Sequence, residues 1–68
     1  MRIVREIYPN SMPMLIQGVV DEERGCISPE SVKLYPVINE RILPASPVVD
    51  VVASLQIAQR LTNLIHQN

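Results

Sequence analysis

The sequence predicts a small α+β domain, in which a three- or four-stranded, mostly antiparallel sheet (a meander) is packed by one C-terminal amphipathic helix. β-forming runs separated by turn residues come first in the chain, and a long helical periodicity follows them. A chain of 68 residues makes a single domain, residues 1–68. A domain of this size buries only about 60% of the surface that its unfolded form exposes. We therefore expect oligomerisation to complete the core.

The first two strands are separated by a cluster of turn residues. Residues 2–8 are rich in β-formers and end at Pro9-Asn10-Ser11, and residues 14–20 predict the second strand. The polar loop 21–25 that follows suits a hairpin connection longer than two residues. Gly25 closes it with a positive φ at little steric cost.

The return strand begins at Cys26-Ile27 and is interrupted at once by residues 28–31. This interruption is either a turn or one helical turn, with Ser28 as its cap and Pro29 at the first helical position.

Residues 32–43 alternate with period two and predict a further strand. Pro36 lies inside this run and cannot donate a ladder hydrogen bond. We therefore place the strand at a sheet edge, or expect a break at Tyr35-Pro36.

The last segment predicts a helix from about residue 48 to about residue 66. Ser46 followed by Pro47 is a typical helix start, and Asp50 is also a good cap. An alternative stays open, in which the β-branched run 48–52 forms a last strand and the helix begins at Ala53.

The apolar arc of this helix spans roughly 200°, about twice the usual core-facing stripe. One side of the arc covers the sheet, and the rest needs another surface, most economically the same helix of a second copy. We therefore expect a homo-oligomer, with a dimer as its form. The residues expected at the seam between subunits are Val51, Ser54, Leu55, Ala58, Leu61, Leu64 and Ile65. Asp50 and Ser54 intrude on the arc, either as a cap and a bond back to a carbonyl or as a polar contact across the seam.

Composition argues against several classes of function. One cysteine excludes an internal disulfide, and no cluster of Cys or His suggests a zinc site, so we expect no metal and no cofactor. The formal net charge is −1, without a basic tail. No apolar run approaches the roughly 20 residues that span a bilayer. Residues 1–6 lack the pattern of a secretory signal, which together with the lone thiol predicts a cytoplasmic location.

Groups able to carry chemistry are sparse. Cys26 could in principle be activated by His66, but no third group is identifiable. We expect Cys26 to be a small hydrophobe and His66 to interact with the helix C-terminus. The acidic loop residues 21–23 lack the ligand series of a calcium loop, and we expect a solvated turn. The sequence therefore predicts no catalytic residue and no enzyme.

The expected function is that of a non-catalytic, homo-oligomeric interaction module that regulates, adapts or inhibits an unidentified protein partner. The alternative is a dimeric nucleic-acid-binding regulator that uses a basic patch on its strands. The residues of that patch are Arg2, Arg5, Lys33 and Arg41. Glu6, Glu30 and Glu40 lie close to them in sequence and favour a mixed-charge face instead.

Overall fold

One helix packs across a curled antiparallel sheet in a computed structural model that describes residues 1–8, 13–47 and 50–67. The elements are β1 (Ile3–Tyr8), β2 (Met14–Asp21), β3 (Cys26–Ile27), β4 (Lys33–Ile38), β5 (Arg41–Ile42), β6 (Ser46–Pro47) and α1 (Val51–Ile65). The predicted α+β class, the antiparallel sheet and the C-terminal helix are confirmed.

Strand β2 is the centre of the sheet. On one side it pairs with β1 along the whole of β1, from Ile3 opposite Val19 to Tyr8 opposite Met14. On its other side it pairs with β3 and then with β4. β4 carries β5 at its C-terminal end and β6 at its N-terminal end. Every strand pairing among the described residues is antiparallel, so no crossover connection between parallel strands occurs in this part of the chain.

β3 and β4 are two parts of one return strand, separated by a 3-10 turn at Pro29–Ser31. Ser31 Oγ accepts the Val19 N–H at 2.8 Å and donates to the Ser28 carbonyl at 2.6 Å, replacing the ladder bond that the turn removes. Pro29 occupies the first turn as predicted. Ser28 occupies the N-cap position as predicted, but its side chain does not cap the turn, because its hydroxyl donates to the Glu30 carboxylate.

Pro36 neither breaks β4 nor lies on an outer strand, so this prediction is wrong. The Val37 N–H bonds to the Pro13 carbonyl, so the neighbouring nitrogen, that of Pro36, points away from β2. It points to the side that carries β5 and β6, at a position between these two short strands, where the Pro36 carbonyl accepts the Leu43 N–H at 2.8 Å. The missing N–H of Pro36 therefore costs the β2 ladder nothing.

The run 32–43 is two strands, because a two-residue turn at Asn39 and Glu40 folds it back on itself. Both residues have positive φ, 51° and 63°, which is typical of the type I′ hairpin turn. The period-two pattern continues across this turn, so alternation alone did not separate β4 from β5. Gly25, at φ 67°, closes the longer β2–β3 hairpin as predicted.

The predicted helix start at Ser46-Pro47 is also wrong, because these residues form β6 against β4. The helix begins at Val51, and the Asp50 side chain caps it by accepting the Val52 N–H at 2.9 Å. Val51 and Val52 are helical, which excludes a helix start at Ala53. Residues 48 and 49 belong to the helix in one prediction and to a last strand in the other, and they lie outside the described residues.

The core forms where α1 crosses β2 and β3, and it depends on the absence of a side chain at Gly18. The fully buried residues Ile16 and Leu61 meet there, with Ile27 beside them. A Cβ on Gly18 would overlap Ile27 Cγ2 and lie 3.0 Å from Leu61 Cδ1. Glycine is therefore what lets the helix come this close to the sheet.

Polar contacts attach the C-terminal half of α1 to β3. Thr62 Oγ1 accepts the Ile27 N–H at 2.9 Å while donating to the Ala58 carbonyl at 2.7 Å. One turn later, His66 Nε2 lies 2.8 Å from the Gly25 carbonyl oxygen. Since β3 has only two residues and pairs with β2 on one side, these bonds satisfy main-chain groups that a further strand would otherwise take.

Gly18→Ala is expected to lower the free energy of unfolding by about 1–3 kcal/mol, because the added methyl group overpacks the contact between Ile27 and Leu61. Urea denaturation followed by circular dichroism measures the change. A variant as stable as the wild type would show that the helix does not approach the sheet as closely as described.

Glu40→Gly is expected to raise the free energy of unfolding by about 1 kcal/mol, because glycine adopts positive φ without the penalty of a β-carbon. Urea denaturation again measures the change. The matched control is Glu40→Ala, which removes the carboxylate but keeps the β-carbon and should bring no gain. Equal stabilisation by both variants would place the effect in the charge rather than in the backbone.

Candidate interaction surfaces

The structure divides the residues predicted at the subunit seam into an inner and an outer group. Ala58 and Leu61 are buried in the core of their own chain, and Leu64 and Ile65 pack against that core. Val51 and Leu55, in the N-terminal half of the helix, remain 70% and 52% exposed. The sheet thus covers the apolar arc in the C-terminal half of the helix, and the arc stays exposed to solvent in the N-terminal half.

A groove runs beside this open end of the helix, and we call it the helix groove. It has a volume of about 590 Å3 and is lined by Pro29, Val32, Val51, Ser54 and Leu55. Ser54 adds little polarity, because its hydroxyl donates to the Val51 carbonyl at 2.9 Å. This is the bond back to a carbonyl that the sequence predicted, and Asp50 likewise takes its predicted role as cap. The helix groove therefore presents a largely aliphatic lining.

Glu30 and Lys33 also line the helix groove, and both are exposed. The Ser28 hydroxyl and the Glu30 backbone N–H, which both donate to the Glu30 carboxylate, lower the pKa of this carboxyl. Glu30 is therefore ionised throughout the neutral range. Lys33 forms no ion pair within the described ranges. The groove thus carries one negative and one positive group beside its aliphatic lining.

The residues of the predicted basic patch do not share one face. Arg5 and Lys33 lie opposite Gln17 on β2, so all three side chains project from the face of the sheet away from the helix, the open face. Arg2 and Arg41 occupy positions that belong to the other face of the sheet, the one that α1 covers. Arg5 Nε donates to Gln17 Oε1 at 2.8 Å, which holds its guanidinium against the sheet. Two positive charges, about 10 Å apart across two strand spacings, remain on the open face.

Aliphatic side chains surround this polar row on the open face. Ile3, Ile7 and Ile42 are 42%, 57% and 60% exposed. Their neighbours on the same face are partly buried: Leu15, Val19, Tyr35 and Val37. The sequence does not predict this surface, because the alternation in β1 is blurred and the apolar side chains of β2 are shared between both faces.

A second, polar groove of about 400 Å3 separates β1 from α1. Arg60 forms an ion pair with Glu6 across it, and its guanidinium carbon lies 5.5 Å from the centre of the Tyr8 ring. The helix wall of this groove includes the carboxamides of Gln56, Gln59 and Asn63 beside the apolar Leu64. Gln59 Nε2 donates to Asn63 Oδ1 at 3.0 Å. Helical periodicity puts these carboxamides on the polar side of α1, but it does not show which strand lies opposite them.

The acidic loop, Cys26 and His66, which the sequence offered as chemical groups, all lie at or beside the β2–β3 hairpin. Asp21 Oδ1 accepts the N–H groups of Glu23 and Arg24, so the acidic loop is organised around its own backbone. Cys26 is partly exposed. His66 Nε2 faces the carbonyl oxygen of Gly25, the residue before Cys26, and not the thiol. No cluster of three or more potential metal ligands occurs among residues 1–8, 13–47 and 50–67.

Within the part of the chain that the structure describes, no helix combines the length and the apolar character needed to cross a membrane. Comparison of the chain with protein-family models, with curated proteins and with solved structures found no match.

Proposed function

We propose that this chain is a non-catalytic interaction module that self-associates through the helix groove. The observation that carries the proposal is the exposure of Val51 and Leu55 beside an aliphatic groove formed by the same chain. Covering these side chains removes apolar surface from water, worth about 1.5–3 kcal/mol for each fully buried aliphatic side chain. Such a gain matters in a domain of 68 residues, whose own core is small.

A second copy fits the groove because the surface is complementary to itself. A two-fold interface places the same patch on both subunits, so a protruding residue must find its receptor on the same patch of the second copy. Here the protruding Leu55 and the groove beside it belong to one surface. The opposite charges of Glu30 and Lys33 allow each to face the other across the axis.

The alternative of a dimeric nucleic-acid reader has less support. Its four basic residues lie on both faces of the sheet, so no single face carries all four charges. Phosphate recognition requires several cations along one surface, since each neutralised phosphate contributes separately to affinity. The open face offers Arg5 and Lys33 alone from that set.

Leu55→Glu is expected to weaken self-association at least a hundredfold. Each interface loses two leucines that are 52% exposed in the monomer, so each forfeits about half of the 1.5–3 kcal/mol of full burial, and it gains two desolvated carboxylates. Sedimentation equilibrium over a wide concentration range measures the effect. Because Leu55 is 52% exposed, the fold should persist, which circular dichroism checks. Asn63→Glu, on the exposed polar arc of the same helix, is the matched control and should assemble like the wild type. A wild-type protein that is monomeric throughout, or a Leu55→Glu variant that assembles normally, would refute the proposal.

Charge reversal distinguishes a two-fold seam from other modes of assembly. Glu30→Lys and Lys33→Glu should each associate more weakly at low ionic strength, since each homodimer then has two like-charge contacts. An equimolar mixture of the two variants should form heterodimers as tight as the wild type, because both contacts become attractive again. Exposed ion pairs contribute roughly 0.2–1 kcal/mol each, so the expected change is several-fold and is lost at high salt. A mixture no tighter than the separate variants would show that these charges do not face each other.

A further inference from the structure

We propose that β1 is a docking edge for an extended peptide segment of a partner protein, which adds to the sheet as a further antiparallel strand. The segment we infer has the pattern apolar-x-acidic-x-apolar, where x is a polar residue. This surface lies two strands away from Lys33 and the helix groove, so the inference does not depend on self-association.

The main-chain groups of β1 alternate in direction along the strand. The Val20 N–H bonds to the Arg2 carbonyl, which makes Arg2 and Val20 a hydrogen-bonded pair of the ladder. In an antiparallel ladder this pattern alternates, so Val4, Glu6 and Tyr8 direct their N–H and C=O groups at β2. The residues between them, Ile3, Arg5 and Ile7, direct theirs outward. No described residue pairs with that edge, and an extended main chain is the ligand that matches its donors and acceptors.

The side chains that flank this edge favour a particular pattern in the added strand. Residues directly opposite each other on antiparallel strands project from the same face, so an added strand places every second side chain beside Ile3, Arg5 and Ile7 on the open face. The two isoleucines, 42% and 57% exposed, favour apolar neighbours. Arg5 between them favours a carboxylate. The intervening side chains of the added strand project toward the carboxamide-lined groove beside α1, where polar side chains find hydrogen-bond partners.

Charge also explains why the occupant is not a second copy of β1. Antiparallel pairing of β1 with itself, centred on the edge, sets Ile3 opposite Ile7 but Arg5 opposite Arg5 of the second copy. Like charges directly opposite each other destabilise a sheet, and a charge on an edge strand discourages association of identical edges. Replacing one of the two arginines by an acidic residue removes the repulsion and keeps the apolar pairs. The edge of β1 therefore favours an added strand that has an acidic residue, and not an arginine, opposite Arg5.

The test uses a blocked synthetic peptide of the sequence Thr-Val-Thr-Glu-Thr-Val-Thr and the whole chain, with backbone amide exchange followed by NMR. In the free protein the amides of Ile3, Arg5 and Ile7 should exchange rapidly, while those of Val4 and Glu6 are protected. Saturating peptide should protect the first three without changing the others. The matched peptide with Lys in place of Glu should bind about tenfold more weakly. Binding that protects other amides, or no binding of either peptide at millimolar concentration, would overturn the proposal.

Two variants separate the main-chain contact from the charge contact. Ile7→Pro removes one outward N–H and leaves the N–H groups that bond to β2, so the peptide should bind at least tenfold more weakly while the sheet persists. Arg5→Glu should reverse the preference, so that the Lys peptide binds more tightly than the Glu peptide. The Arg5→Glu variant tests the proposed register even if the Ile7→Pro variant fails to fold. An unchanged preference for the Glu peptide in Arg5→Glu would overturn the proposed register.

Discussion

The close approach of α1 to the sheet at Gly18 is the constraint on which the rest of the structure depends. With no β-carbon at this position, Leu61 and Ile27 both pack over Gly18, and Ile16 is fully buried in the same cluster. That contact fixes which end of the helix is buried. The apolar arc therefore covers the sheet with its C-terminal half and leaves Val51 and Leu55 in solvent, which is the origin of the helix groove.

Hydroxyl groups satisfy the main chain where the return strand is interrupted. Ser31 bonds to the Val19 N–H and Thr62 to the Ile27 N–H, so the 3-10 turn leaves neither donor without a partner. A buried donor without a partner costs about 1–3 kcal/mol, as much as a substantial packing defect. The interruption also places Glu30 and Lys33 on either side of Val32, beside the N-terminal half of the helix. The 3-10 turn that interrupts the return strand thus also shapes one wall of the helix groove.

The sequence predicted the elements better than it predicted their ends. Apolar periodicity identified β1, β2 and the helix, and the conformational demands of Gly25 and Pro29 identified their turns. Asn39-Glu40 was missed because glutamate rarely adopts positive φ, so the pair carried no turn signal. Ser46-Pro47 has the chemistry of a helix start but pairs with β4, and only tertiary contacts decide between the two. The exposure of Leu55 and the outward main-chain groups of β1 likewise depend on register and packing, which periodicity does not contain.

The contacts between the helix and the β3 hairpin have a consequence for biosynthesis. Thr62 reaches Ile27 across 35 residues of sequence and His66 reaches Gly25 across 41, while Arg60 meets Glu6 across 54. On the ribosome the strands emerge before the helix that covers them, at about 5–20 residues per second. The helix-facing side of the sheet, including Ile16, therefore stays uncovered until the last element leaves the exit tunnel. The core cannot form before α1 emerges, and until then the apolar side chains of the sheet are exposed to association with other chains.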